Sequence, residues 1–402
     1  MLPYILLIAT IGIFSVICFH KNAVFSSSPQ ILKTIFLSSS FLLLFIYSSA
    51  RLNIGNDYTR YASAFSGMGK EGFSNLNYLD YGWEWGFNIL TKIIYILTKD
   101  VRVYMTIIAA MCLAGPYYVI YKYSKSPWLS VLLYINLYFF YVTMNFMRQG
   151  VAISISLFAY EFLLKRKFLK YAAVIICAAM FHVTVLIMIP LYFLVKFKPS
   201  LKIPLFYGYL VLWMYIASNS TIDLILSFIY PEYRTSVFIV MGLDIINAVI
   251  PTLIVISGVF LMMKFIKPQQ PAADSEKTFI IQTNLMYFAY FWIFVMLRHA
   301  IFERVSYYAY IYVILFIPEL LAFADEKYKK YLNRKYNSTI KPSDMPESQK
   351  KDIIARYKRY RKLMSVGLTA LVITITLLYN FYGLVMYPGG AHGIYPYSSW
   401  LI

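Results

Sequence analysis

The chain has 402 residues, of which 60% are hydrophobic and 14% are charged. A soluble domain carries about 25% charged residues, so this composition excludes a soluble enzyme, a disordered chain and a nucleic-acid-binding domain. The net charge of +19 is then typical of a multi-pass membrane protein whose basic residues lie in cytoplasmic loops. The three cysteines all lie in apolar stretches, which argues against a disulfide framework or a metal site.

Apolar runs follow one another along almost the whole chain. Each can satisfy its backbone hydrogen bonds as a helix in lipid. In chain order they cover 3–19, 31–50, 103–121, 127–144, 149–164, 171–195, 203–217, 245–263, 279–297, 305–324 and 363–387. They predict an all-α polytopic integral membrane protein with about 10–12 transmembrane helices, in which residues 1–402 form a single membrane domain.

Lysine and arginine predict the orientation, because they collect in cytoplasmic loops. Segment 325–362 is the most basic, and we expect it to be a cytoplasmic loop. Counting crossings then places both termini outside, together with the long loop 51–102. We expect this extracytoplasmic loop to carry site residues.

The apolar run 171–195 is basic on both sides, at 165–170 and at 196–202. Both flanks should therefore lie in the cytoplasm, although the run has the length of one crossing. A re-entrant pair of short helices that turns near Phe181 and His182 would resolve the conflict. The alternative is one straight helix with one basic flank outside.

Polar constellations lie at the outer ends of the predicted spans: RLNIGNDYTRY (51–61), YGWEWGF (81–87), NFMRQG (145–150) and RHAIFERVSYY (298–308). Arg148 stands between two apolar runs, where a bare arginine costs about 2.5–3.5 kcal/mol. It either snorkels to the headgroups or binds an anion at the outer rim. Asn145 and Gln149 beside it add neutral hydrogen-bonding groups.

The first constellation combines a cation with a carboxylate. Arg51 could bind a phosphate and Asp57 could remove a proton, or both could simply be exposed at the start of a loop. Tyr58 and Tyr61 could stack on sugar rings or belong to the interfacial aromatic belt.

The remaining candidates have equally plain structural interpretations. Glu84 could be a helix-start carboxylate, Glu303 and Arg304 could pair with each other, and His182 could be a hydrogen-bonded structural histidine. Arg298 stands at the opening of the same span as Glu303.

Motifs for nucleotide, dinucleotide and metal binding are missing from the sequence: there is no Walker A run, no GxGxxG, no HExxH and no CxxC. We therefore predict no cofactor and no metal. An outer site with several arginines suits a lipid-linked pyrophosphate, because arginine binds phosphate bidentately. A carboxylate or a histidine could deprotonate a sugar hydroxyl.

The motifs RLNIGNDYTRY, YGWEWGF, NFMRQGVA, AAMFHVTVLI and ERVSYY, in this order, resemble the EpsG family of Wzy-type polysaccharide polymerases. The resemblance runs from about residue 50 to 310. It implies a metal-independent glycosyltransferase of the bacterial cytoplasmic membrane. Such an enzyme transfers a glycan from undecaprenyl pyrophosphate to a lipid-linked repeat unit at the outer face, building an O-antigen, capsule or exopolysaccharide. A chain-length regulator and a flippase are candidate partners.

We assign roles on this basis. Asp57 is favoured over His182 as the general base, and Glu84 joins them as a catalytic candidate. The pyrophosphate-binding candidates are Arg51, Arg148, Arg304 and Arg298. The substrate-binding candidates are Asn145, Gln149, Tyr58, Tyr61 and Glu303. The rival functions are a lipid-linked oligosaccharide flippase or transporter, and an O-antigen-ligase-like enzyme that makes a single transfer.

Overall fold

The computed structural model describes residues 2–19, 29–70, 82–195, 197, 202–216, 224, 253, 274–297, 302–340, 345–385, 391–394 and 396–400. Helices make up most of this part of the chain. They are α1 (Leu2–Phe19), α2 (Pro29–Ser49), α3 (Tyr58–Lys70), α4 (Trp85–Leu97), α5 (Val101–Tyr123), α6 (Pro127–Asn136), α7 (Phe139–Asn145), α8 (Met147–Phe158), α9 (Tyr160–Leu164), α10 (Phe168–Ala179), α11 (Met188–Leu194), α12 (Lys202–Ile216), α13 (Asp274–Met296), α14 (Glu303–Tyr310), α15 (Val313–Lys335) and α16 (Glu347–Val385).

The described helices confirm an all-α, multi-pass membrane protein. Among them, α1, α2, α5, α13 and α16 are long and apolar enough to cross a bilayer. Two bent pairs of helices also have the length and composition of a span, either as a broken span or as a re-entrant loop: α6 and α7 meet at 49°, and α14 and α15 meet at 44°. The predicted span 245–263 falls almost entirely outside the described residues, so the total number of crossings stays a prediction.

The bend between α6 and α7 is held in place by a tyrosine. Tyr138 has a left-handed φ of 71°, which is unfavourable for a bulky side chain. Its hydroxyl donates to the carbonyl of Asn380 on α16 at 2.6 Å. Gly383 makes room for that hydroxyl, since a Cβ there would lie 2.2 Å from it. Contacts with α16 therefore compensate the strained turn.

The run 171–195 folds back on itself, as its two basic flanks predict. Helix α10 ends at Ala179, and a 3-10 turn, Val183–Ile187, leads into α11. The ring centroids of Phe168 and Phe193 lie 5.1 Å apart, whereas a straight helix would separate these residues by about 37 Å. The straight-helix alternative is therefore wrong, and the turn lies next to His182.

Both long predicted loops contain substantial helix. Helices α3 and α4 lie within 51–102, while α15 continues to Lys335 and α16 begins at Glu347 within 325–362. Lysine, arginine and glutamate are good helix formers, so a helix can extend past its apolar part. Arg361 on α16 pairs with Asp325 on α15, with Nε 2.6 Å from Oδ1.

The last described residues return to the loop that follows α2. The amide of Leu52 donates to the carbonyl of Ser398 at 3.1 Å, and the amide of Trp400 donates to the carbonyl of Ala50 at 3.1 Å. Farther along, the amide of Gly55 donates to the carbonyl of Gly393 at 3.0 Å. We call residues 391–400 the C-terminal tail. It lies on the loop that carries the first polar constellation.

Candidate functional site

The polar constellations and the turn after α10 converge on one pocket. Its lining contains three arginines, a carboxylate, a histidine, an amide and three aromatic rings. These residues are Asp57, Arg60, Tyr61, Trp83, Phe146, Arg148, Gln149, His182 and Arg304. Segments far apart in the sequence are thus joined into one polar site among helix ends.

The break between α7 and α8 organises this pocket. Successive side chains of NFMRQ reach different segments. Asn145 Oδ1 accepts from the backbone amide of Asp57 at 3.1 Å, and the Gln149 amide nitrogen donates to the carbonyl of Arg304. Asn145, Arg148 and Gln149 are spaced by three and four residues, a spacing that favours one side of the chain. The break at Phe146 lies between these residues and brings the Phe146 ring into the pocket lining.

Glu84 links the arginine and the histidine of the pocket. Its Oε2 lies 2.6 Å from Nη1 of Arg148, and its Oε1 lies 2.9 Å from Nδ1 of His182. The backbone amide of Val183 also donates to Oε1, at 3.0 Å. Glu84 stands directly before α4 and is 8% exposed. Both of its oxygens are thus engaged inside the protein.

The pKa of Glu84 follows from these contacts. Burial alone would raise it, but the hydrogen bond with His182 and the positive charge of Arg148 lower the pKa to about 2. Glu84 is therefore a carboxylate at physiological pH. A group in that state can orient and neutralise its partners, but it is a poor proton acceptor.

Arg148 lies partly buried at the start of α8. Its guanidinium carbon is 5.6 Å from the centre of the Trp83 ring, and its backbone amide is 3.5 Å from the hydroxyl of Tyr61. Nη1 also donates to the carbonyl of Gly82 at 3.4 Å. These contacts hold the arginine at the pocket wall, so it does not snorkel away.

Asp57, Arg60 and Tyr61 come from the start of α3 and share one helical face, because they are spaced by three and four residues. Gly55 brings this segment against α7. It has a φ of 94°, and a Cβ there would lie 2.7 Å from the carbonyl oxygen of Met144. Glycine is therefore required both by the turn and by the close contact.

The other side of the pocket is formed by the start of α14. The guanidinium carbon of Arg304 lies 4.4 Å from the centre of the Phe146 ring. Glu303 turns away and accepts a hydrogen bond from the hydroxyl of Tyr307 at 2.6 Å. Among the described residues, Glu303 neither lines the pocket, as its assignment to substrate binding would require, nor pairs with Arg304, which was the structural alternative. Arg298 lies outside the described residues.

Arg51 and Tyr58 lie behind the pocket. Arg51 is 1% exposed. Its guanidinium donates to the carbonyl and hydroxyl of Ser48 and to the sulfur of Met147, the last at 3.2 Å. Buried in this way, Arg51 joins the end of α2 to α8 and does not reach a ligand in the pocket. The ring of Tyr58, itself buried, lies 6.0 Å from the Arg51 guanidinium.

Three lining residues were not predicted from the sequence: Arg60, Trp83 and Phe146. The spacing from Asp57 to Arg60 is a signal that could have identified Arg60. Trp83 and Phe146 adjoin predicted residues, but aromatic residues are common throughout this chain. In the described ranges, no His, Cys, Asp and Glu side chains gather in groups of three or more that could hold a metal ion.

The fold and the pocket define a class, the multi-pass α-helical membrane proteins with an arginine-rich polar site among helix ends. Within that class the chain belongs to the EpsG family, whose model matches residues 34–336. The matched range contains every residue that lines the pocket. No curated protein and no solved structure matches the chain. The resemblance drawn from the sequence motifs is thus confirmed at the level of the family.

Proposed function

We propose that the protein is a surface-polysaccharide polymerase. It would transfer a glycan from undecaprenyl pyrophosphate to the end of a lipid-linked repeat unit, at the outer face of the bacterial cytoplasmic membrane. Family membership supports a polymerase-like membrane protein. The observation that carries the proposal is the bridge that Glu84 makes between Arg148 and His182 at a pocket that also contains Arg304.

The arginines of the pocket suit the donor. Transfer from a lipid pyrophosphate leaves negative charge on the departing diphosphate, and preorganised cations stabilise it best where water is excluded. Three cations line the pocket: Arg60, Arg148 and Arg304. Two carboxylates oppose their charge, those of Asp57 and Glu84. The N-terminus of α8 adds the positive end of a helix dipole at the same place.

His182 and Glu84 suit the acceptor. A carboxylate on Nδ1 holds a histidine in one orientation and favours the tautomer with a proton on Nδ1, so Nε2 becomes the basic nitrogen. We therefore favour His182 as the general base over Asp57, reversing the preference drawn from the sequence. Asp57 also lines the pocket, half-buried, and remains the alternative base.

The reaction is then a single displacement. The acceptor hydroxyl oxygen bonds to the anomeric carbon of the donor sugar, and its proton passes to His182. The bond between that carbon and the pyrophosphate oxygen breaks, and the electron pair leaves with undecaprenyl pyrophosphate. Arg148 and Arg304 stabilise the leaving group, and the anomeric configuration inverts.

The test is polymer growth by the purified protein in lipid nanodiscs supplied with lipid-linked repeat units. We expect His182→Asn to slow growth by about 10²–10⁴-fold, and Arg148→Ala and Arg304→Ala to slow it as well. Lys99→Ala, an exposed cation outside the pocket, is the control and should leave growth unchanged. Loss of growth in Asp57→Asn with normal growth in His182→Asn would instead assign the base to Asp57.

The products separate the rival functions. Addition of one unit only would indicate a ligase-like enzyme. Translocation of the lipid-linked oligosaccharide with no new glycosidic bond would indicate a flippase. Either result would overturn the polymerase proposal, whereas a ladder of products differing by one repeat unit supports it.

A further inference from the structure

The C-terminal tail lies beyond residues 34–336, the part of the chain that matches the family. It nevertheless docks closely on the loop that leads to Asp57. The amide of Asn56 donates to the carbonyl of His392 at 3.3 Å, and the hydroxyl of Tyr4 donates to the carbonyl of Ile394. Ile394 is fully buried. This segment is therefore an integrated part of the end of the protein that carries residues 51–57.

The docked tail places one titratable ring beside the pocket. His392 has a left-handed φ of 67°, a conformation that needs support from its surroundings. Its Nε2 lies 3.5 Å from the hydroxyl of Tyr307 and 4.0 Å from Oε1 of Glu303. The imidazole also packs against Phe146 in a T-shaped arrangement, with ring centroids 5.3 Å apart.

Phe146 is the link from His392 to the pocket. It contacts the histidine ring at 5.3 Å and the Arg304 guanidinium at 4.4 Å, both measured to ring centres. Phe146 and Arg304 line the pocket, whereas His392 is not among the lining residues. The histidine can therefore act on a ligand through Phe146 without touching it.

We propose that His392 is a positioning residue: held by the docked tail, it fixes Phe146 and thereby keeps the Arg304 guanidinium in place for an anionic phosphate ligand. The inference rests on the proposed function in that it takes Arg304 to bind the diphosphate of the donor. It adds to the site a supporting contact from a segment that lies beyond residues 34–336.

A double-mutant cycle tests the link. His392→Asn removes the ring while tolerating the left-handed backbone, and Phe146→Leu removes the intermediate ring. Aromatic contacts of this kind are worth about 0.5–1.5 kcal/mol, so each single variant should weaken the binding of inorganic pyrophosphate about two- to twelvefold. Because His392 acts on Arg304 only through Phe146, the two changes should not add. The double variant should have about the same pyrophosphate Kd as the single variant that binds pyrophosphate less tightly.

Ser398→Ala is the matched control in the same tail. It removes a hydrogen bond to the carbonyl of Leu52 and should leave pyrophosphate binding unchanged. Tyr307→Phe is a milder change at His392, and it serves if the His392→Asn variant does not fold. We expect it to weaken the binding of pyrophosphate about two- to threefold. The KM for the lipid-linked donor should rise in step with the pyrophosphate Kd, with little change in kcat.

The outcomes separate the two proposals. Additive effects of His392→Asn and Phe146→Leu, or unchanged binding in His392→Asn and Tyr307→Phe, would overturn the positioning role even if polymer forms. Coupled effects on pyrophosphate binding in a protein that makes no polymer would retain the positioning role and refute the polymerase.

Discussion

At the scale of single residues, Glu84 is the side chain on which the site depends most. We expect Glu84→Gln to lower polymer growth by about 10²–10³-fold, because Arg148 loses its counter-charge and His182 loses its orientation. Removing one partner of a buried pair costs about 3 kcal/mol, so the thermal unfolding midpoint should fall as well. Single-turnover polymerisation and a melting curve measure the two effects. Normal growth in this variant would show that the bridge is not part of the catalytic machinery.

The lowered pKa of Glu84 also gives a pH prediction. An unperturbed glutamate has a pKa of about 4.3, and the folded value is lowered to about 2. Stability from this carboxylate is therefore complete above about pH 4.3 and is lost as pH falls toward the folded value. Melting curves from pH 7 to pH 3 should therefore show this loss of stability below about pH 4.3 in the natural protein. The Glu84→Gln variant should show a smaller acid-dependent loss. Parallel curves for the two proteins would contradict the pKa assignment.

The candidate site was partly predictable from residue types. Arg148, His182 and Arg304 could be singled out because ionisable groups within apolar stretches are costly and need a reason. Arg51 satisfied the same rule and yet lies behind the pocket, since its partners are a carbonyl, a hydroxyl and methionine sulfurs. Sequence spacing cannot distinguish a buried arginine that joins helices from one that faces a ligand.

At the scale of elements, α5 and α8 pack closely at a glycine. The amide of Gly115 donates to the hydroxyl of Ser154 at 2.7 Å, and a Cβ on Gly115 would lie 2.1 Å from the carbonyl oxygen of Ser154. Small residues allow helices in membranes to approach in this way. Because α8 carries Arg148 at its start, this contact also positions the site.

We expect Gly115→Ala to destabilise the protein by about 1–3 kcal/mol, as overpacking does. The clash is with backbone, which cannot rotate away. Gly208→Ala in α12 is the control, since a Cβ there meets nothing within 4 Å. That change should be neutral or stabilising by about 0.5–1 kcal/mol. Melting curves in detergent compare the two, and equal midpoints would contradict the close contact of α5 and α8.

The elements differ in how well the sequence predicts them. The fold-back at 168–194 followed from charge, because basic residues on both flanks are incompatible with one straight crossing. The break between α7 and α8 did not, since NFMRQ has neither proline nor glycine at the break. Contacts of Asn145, Arg148 and Gln149 with three other segments accompany that break. Tertiary interactions of this kind produce no local sequence pattern, so the break could not be predicted from the sequence.

At the scale of the whole molecule, the charge pattern predicts the orientation in the membrane. The pocket and the C-terminal tail lie at the end of the protein that carries residues 51–61. The basic ends of α15 and α16 belong to the segment expected in the cytoplasm. The positive-inside rule therefore predicts that the pocket opens outside, the side on which the proposed reaction requires its lipid-linked substrate.

Labelling with a membrane-impermeant maleimide in intact cells tests this orientation. The three natural cysteines are first replaced by serine. Single cysteines are then introduced at four exposed lysine positions: Lys99, Lys167, Lys202 and Lys330. Only Lys99→Cys should react from outside. Lys167→Cys and Lys202→Cys should both react only after the cells are opened, because the fold-back returns the chain to the side from which it started. Labelling of one of these two in intact cells would refute the re-entrant arrangement. Labelling of Lys330→Cys in intact cells would place the pocket on the side opposite to the one that the proposed function requires.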